Sequence, residues 1–220
     1  MPHRSCTVEV NNNSGLFTLT NPRVFTESGH CEVPPPPFVG PCSMASIMFN
    51  KTTGAATGAV GVFTYDLLNT NYNECSKVLA VMYSVPYDRN LYSNWCAVGV
   101  FERGVECDYN LYDNMYNNDQ YNFVRGQGDG SSVTYQGEFL MVSASMSDNG
   151  EAVIRVDISD AGMGMGMGQE AATIADTRFT LYLLDYTDEF GTAFVKATIT
   201  SLLTVESMNP ISAMGSDKVK

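Results

Sequence analysis

The sequence predicts an all-β chain: a β-sandwich with one or two short helices and an added C-terminal β segment. Three observations predict it. Gly, Asn, Thr, Ser and Tyr are abundant and charged residues make up only 16%, a profile of strands and turns. Short apolar or alternating runs recur along the chain, each bounded by turn residues. The centre holds three continuous apolar runs, residues 60–67, 78–84 and 95–101, the mark of strands buried on both faces.

Residues 7–10 and 16–19 alternate around the Asn/Gly-rich segment 11–15 and predict a hairpin. Residues 23–29 predict a further short strand and turn. Pro34-Pro35-Pro36-Pro37 predicts an extended surface spacer, and residues 43–49 return to apolar strand chemistry. After the three central runs, Tyr109, Leu111, Tyr112, Met115 and Tyr116 recur at the spacing of a short helix lying on a sheet. Residues 139–145 and 152–158 flank Asp148-Asn149-Gly150, a strong hairpin signal. In the second of these runs Ala152, Ile154, Val156 and Ile158 share one face, and Glu151, Arg155 and Asp157 share the other. The composition changes at Asp160, dividing a sandwich (1–160) from an appended segment (161–220). That segment opens on a strict Gly-Met alternation, 162–168, a flexible apolar linker. One or two helical turns at 169–176 lead to long strands at 178–187 and 192–206, a C-terminal hairpin.

The net charge of −12 excludes nucleic acid as a partner, because the chain repels phosphates. No run is long and apolar enough to span a bilayer as a helix. The start, MPHRSCTVEV, lacks the apolar region of a signal peptide. Six cysteines (Cys6, Cys31, Cys42, Cys75, Cys96 and Cys107) include no CxxC pair and read as small buried hydrophobes. Two sequons, at Asn12 and Asn50, matter only for a secreted chain. The two histidines, His3 and His30, accompany no nucleophile motif, so the reading is not an enzyme, and no metal or cofactor is implied.

The stretch 56–116 resembles the actinoporins, the small β-sandwich cytolysins of sea anemones, and their actinoporin-like relatives. The matching segments are ATGAVGV (56–62), LAVMYSVPYD (79–88), LYSNW (91–95) and LYDNMY (111–116). The resemblance runs on more weakly over about residues 8–158. It implies a phosphocholine headgroup site at Ser28, Val60, Ser84, Pro86, Tyr92, Tyr112 and Tyr116, with Leu91 and Trp95 at the membrane interface. The chemistry is coherent: tyrosine faces attract a quaternary ammonium, and hydroxyls donate to a phosphate.

The chain departs from the family's pattern at several places. Glu27 stands where the family has a basic residue beside its serine, and Asn117 stands where it has a further tyrosine. Of the family's exposed tryptophan cluster only Trp95 remains, beside Leu91 and Cys96. The family's Arg-Gly-Asp is reduced to Arg125-Gly126, with Asp129 displaced. The first strand begins at about Thr7, which leaves no room for the family's pore-building helix before it. The expectation is a non-lytic protein binding phosphocholine-type lipid headgroups at a membrane surface or outside the cell. The alternative is a self-assembling scaffold, a homo-oligomer or filament in an extracellular or mineral matrix, joined through residues 161–220. A pore-forming cytolysin is the remaining reading.

Overall fold

The computed structural model describes residues 3–161 and two further strands, Tyr182–Thr187 and Ala193–Thr198. In chain order the first strands are β1 (Ser5–Asn12), β2 (Phe17–Ser28), β3 (His30–Val33), β4 (Phe38–Val39), β5 (Ser43–Asn50), β6 (Ala59–Asn69), β7 (Glu74–Val85) and β8 (Trp95–Glu102). Helix α1 (Tyr109–Asn117) follows, then β9 (Phe123–Gln127), β10 (Ser132–Gln136), β11 (Leu140–Met146) and β12 (Glu151–Asp160). The last two strands, β13 (Tyr182–Thr187) and β14 (Ala193–Thr198), pair antiparallel with each other as a two-stranded sheet.

The sandwich consists of two six-stranded sheets, β10-β11-β12-β1-β5-β3 and β4-β2-β6-β7-β8-β9. Between them lies the main core. Val8, Ile47, Phe49, Ile154 and Val156 enter it from one sheet, and Phe63, Tyr65, Leu79, Val81 and Tyr83 from the other. Phe49 stacks on Tyr83 across this layer, with ring centroids 4.1 Å apart.

A second, smaller core covers the outer face of the second sheet. Helix α1 lies there on Val62, Ala80, Met82 and Ala97. This explains the unbroken burial of β7 from Val78 to Val85. Leu79, Val81, Tyr83 and Val85 face the main core, while Ala80 and Met82 face the helix. On β12 the predicted alternation holds: Ala152, Ile154, Val156 and Ile158 are buried, and Glu151, Arg155 and Asp157 are exposed.

The first two runs do not form a hairpin. Strand β1 is occupied on both sides, by β12 in parallel and by β5 antiparallel. The segment after it therefore crosses to the other sheet, where β2 pairs with β6. Buried polar groups make the crossing self-sufficient. Asn12 Nδ2 donates to the carbonyls of Phe17 (2.9 Å) and Val39 (3.0 Å), and Ser14 Oγ accepts from the Phe17 amide (3.0 Å). Asn12 is wholly buried, so its sequon is inaccessible in the folded chain.

Residues 23–29 are not a separate strand either. They continue β2 past a register shift between Thr20 and Arg23. Strands β3, β4, β9 and β10 carry no strong sequence signal and were not predicted. The Gly-Met run, the turns at 169–176 and the ends of the two C-terminal strands lie outside the described residues.

Candidate functional site

The three central strands align the predicted residues. Ser28 pairs with Val60, Val60 with Ser84, and Ser84 with Trp95, so one row crosses β2, β6, β7 and β8. Directly paired residues share a face, here the outer one that α1 covers. Thr26 pairs with Gly61 and Ser28 with Val60, which leaves Glu27 as the extra residue of a bulge. The Ser28 hydroxyl donates to the Gly58 carbonyl at 3.0 Å, and Ser84 is buried.

Helix α1 brings the tyrosines over this row. Asp108 caps it, its carboxylate accepting from the Leu111 amide at 3.0 Å. The cap sets the helix phase, burying Leu111, Tyr112 and Met115. Tyr112 and Tyr116, one turn apart, stack with centroids 5.7 Å apart. Phe25 of β2 completes the patch, 6.5 Å from Tyr112 and 6.4 Å from Tyr109. Phe25, Val60, Trp95 and Tyr116 are all partly buried against the same small core. Burial, first, and then the neighbouring Tyr116, Glu27, Tyr109 and Asp113 push the Tyr112 hydroxyl pKa up, so this phenol stays protonated.

The loop 86–94 is tied down from three directions. Arg4 donates to the carbonyls of Pro86 (3.0 Å) and Tyr87 (2.8 Å). Arg89 pairs with Asp148 of the β11–β12 turn. The buried Asn94 donates to the carbonyls of Ser147 (3.1 Å) and Asn149 (2.8 Å). Pro86 is therefore held in place, while Leu91 and Tyr92 stand in solvent, 73% and 60% exposed. Neither makes an aromatic contact with the Tyr112–Tyr116 pair among the described residues. Trp95 is half-buried, with the Arg125 guanidinium 5.1 Å above its ring. The same arginine reaches the Tyr116 carbonyl and, at 3.1 Å, Asp119.

The sequence assigns Phe25 no role, places Tyr109 only on the helix, and reads Arg125 only as a remnant of the family's Arg-Gly-Asp. Phe25 sits two residues before Glu27 on a run read as short, and Arg125 lies on the unpredicted β9. An apolar cavity of about 200 Å³ opens elsewhere, beside Phe17, Leu67, Tyr135 and Leu140, with the Lys77–Glu102 pair on its wall. Its lining contains none of Phe25, Tyr112 and Tyr116. No helix of the described residues is long and apolar enough to cross a membrane.

The model of the sea anemone cytotoxic protein family matches residues 2–160. DELTA-stichotoxin-Hcr4a of Radianthus crispa is 33% identical over 150 residues, covering 68% of this chain and 79% of its own length. DELTA-alicitoxin-Pse1b of Phyllodiscus semoni is 37% identical over 117 residues, 52% of this chain, and the match spans about half of that relative, 48%. Among solved structures, the lipid binding protein Nakanori superposes with a TM-score of 0.55 at 15% identity, over 72% of each chain; the likeness is one of fold. The sandwich that positions the tyrosine patch is thus the family's own, and the chain belongs to the sea anemone cytotoxic protein family.

Proposed function

We propose that the chain binds choline-bearing lipid headgroups at a membrane surface through the patch of Phe25, Tyr112 and Tyr116, without lysing the membrane. The stacked Tyr112–Tyr116 pair over the Ser28–Val60–Ser84 row carries this reading. Aromatic faces attract a quaternary ammonium by about 0.5–2 kcal/mol each. The relatives' names mark them as toxins, and lipid recognition suits an aromatic patch on the outer face of a sheet. Anchoring beyond the headgroup is modest. Leu91 and Tyr92 are exposed, but Trp95 lies under Arg125, so few side chains can enter the interface. Catalysis forms no part of the reading.

Co-sedimentation with phosphatidylcholine vesicles loaded with a quenched dye tests it. The chain binds and releases no dye, and replacing Tyr112 and Tyr116 by alanine abolishes binding. Equal binding by the parent and the variant sinks the proposal, and dye release sinks its non-lytic half.

A second reading, self-assembly, rests on β13 and β14. A lone two-stranded sheet is marginal in water, so it gains by adding to a sheet edge of another copy. Light scattering of the full chain and of a chain ending at Ala161 compares the two. A full chain that stays monomeric at high concentration removes this reading.

A further inference from the structure

We infer that the tyrosine patch recognises the ammonium end of its ligand alone, and that Glu27 makes it reject phosphate as a direct partner. This rests on the headgroup reading above and names which half of the headgroup is bound.

Among the described residues, five basic side chains around the patch and its loop are engaged. Arg4 holds the carbonyls of Pro86 and Tyr87. Arg23 is bound to Asp66 and donates to Thr64 Oγ1 at 3.1 Å. Arg89 pairs with Asp148, and Arg125 with Asp119 and the Tyr116 carbonyl. Lys51 donates to the carbonyls of Ala55 (2.6 Å) and Thr52 (3.3 Å). Each would have to give up a partner to meet a phosphate. The serines offer little more: the Ser28 proton is committed to Gly58, and Ser84 is buried.

Two carboxylates near the patch have no cationic partner among the described residues. Glu27 is exposed and bulged out beside Ser28, and it has no ion-pair partner among the described residues. Asp113, one residue after Tyr112, accepts from Asn117 Nδ2 at 2.8 Å and from the Tyr109 hydroxyl at 3.5 Å. Both carboxylates add to the upward push on the Tyr112 hydroxyl, so their negative charge reaches the patch. A phosphate seated here meets that charge with no cation between them among the described residues. A quaternary ammonium meets the half-buried Tyr116 ring and the nearby carboxylates, each of which favours it. The phosphate of a bound headgroup therefore points away from the patch, toward water.

The test is a competition read at constant ionic strength, with sodium chloride as the control. Tetramethylammonium chloride displaces the chain from phosphatidylcholine vesicles, and inorganic phosphate does not. Glu27→Gln weakens tetramethylammonium binding roughly two- to fivefold, the size of one exposed charge. Glu27→Lys weakens it further and lets phosphate compete. Glu27 is exposed, so both variants fold. Displacement by phosphate as effective as by tetramethylammonium overturns the inference and leaves the headgroup reading standing. So does a Glu27→Lys variant with unchanged preference. If the chain binds no vesicles, the headgroup reading falls. The inference is then decided by titrating tetramethylammonium against the intrinsic tyrosine signal, where an absence of binding overturns it as well.

Discussion

The rings of Tyr112 and Tyr116 lie 5.7 Å apart between centroids, with 23° between their planes. Tyr112 is 9% exposed and Tyr116 is half-buried, so the two rings have unequal duties: Tyr112 belongs to the small core, and Tyr116 packs against it from the solvent side. Removing the Tyr112 ring opens the small core beneath α1, at a cost of about 3–5 kcal/mol. Removing the half-buried Tyr116 ring takes less from that core and mainly removes surface that the proposed headgroup site uses.

The pair separates ring from hydroxyl. Tyr116→Phe keeps the face that attracts a cation, and Tyr116→Ala loses it. Isothermal titration with tetramethylammonium should show the phenylalanine variant within about twofold of the parent. The alanine variant should lose roughly two- to thirtyfold, the range of one cation–π contact. Equal losses for both would assign the affinity to the hydroxyl.

Arg125 reports on the only tryptophan of the chain. Its guanidinium covers one face of Trp95 at 5.1 Å, so Arg125→Ala admits water to the indole. Trp95 emission should shift to the red and become more accessible to iodide, with no second tryptophan to mask the change. Arg125→Lys should recover only part of the shielding, because a compact ammonium does not stack as a planar guanidinium does. An unmoved spectrum would mean that the arginine does not cover the ring in solution.

The fold was largely legible because its strands obey simple periods. The alternation at 152–158 and the unbroken run at 78–84 both appear in the structure, the latter because α1 gives β7 a second buried face. The crossing after β1 was not legible. A hairpin and a sheet change share the same Asn/Gly signal, and the choice depends on β12 and β5 occupying both sides of β1. Those partners are distant in sequence. The site was legible in parts. Tyr112 and Tyr116 sit at helical spacing, and Ser28, Val60 and Ser84 fall in one row only once the register of three strands is known. Phe25 packs on Tyr112 from β2, and Arg125 covers Trp95 from β9; no local pattern around either residue signals that contact. Leu91 and Tyr92 stand in solvent on a loop whose ends are anchored, so their side chains lie apart from the Tyr112–Tyr116 stack although the sequence groups them with it.

Asn94 ties that loop to the β11–β12 turn. It is wholly buried and donates to two carbonyls, Ser147 and Asn149. Asn94→Ala strands both acceptors and should cost about 2 kcal/mol, within the range for buried groups left unpaired. Urea titration reads the loss in stability, and limited proteolysis at Arg89 reads the loosened loop. A stable variant with unchanged cleavage would show that Arg4 and Arg89 suffice to hold it.

The buried thiols set an alkaline limit on stability. Burial, above all, raises Cys6 and Cys96, the latter up to about 12. An unfolded cysteine titrates near 8.5. Both folded values lie above the unfolded one, so as pH rises the unfolded chain loses its protons first. Their contribution is whole below about pH 8.5 and is lost as pH climbs toward the folded values. Each thiol can then remove up to about 1.4 kcal/mol per pH unit. Urea midpoints should hold steady from pH 7 to 8.5 and fall by pH 10, with a shallower fall for Cys96→Ala. In the same range the exposed Cys42 should label with a maleimide at once, while Cys6 and Cys96 react only as the chain unfolds. Midpoints that stay level to pH 10 would show that the thiols are not shielded as their burial requires.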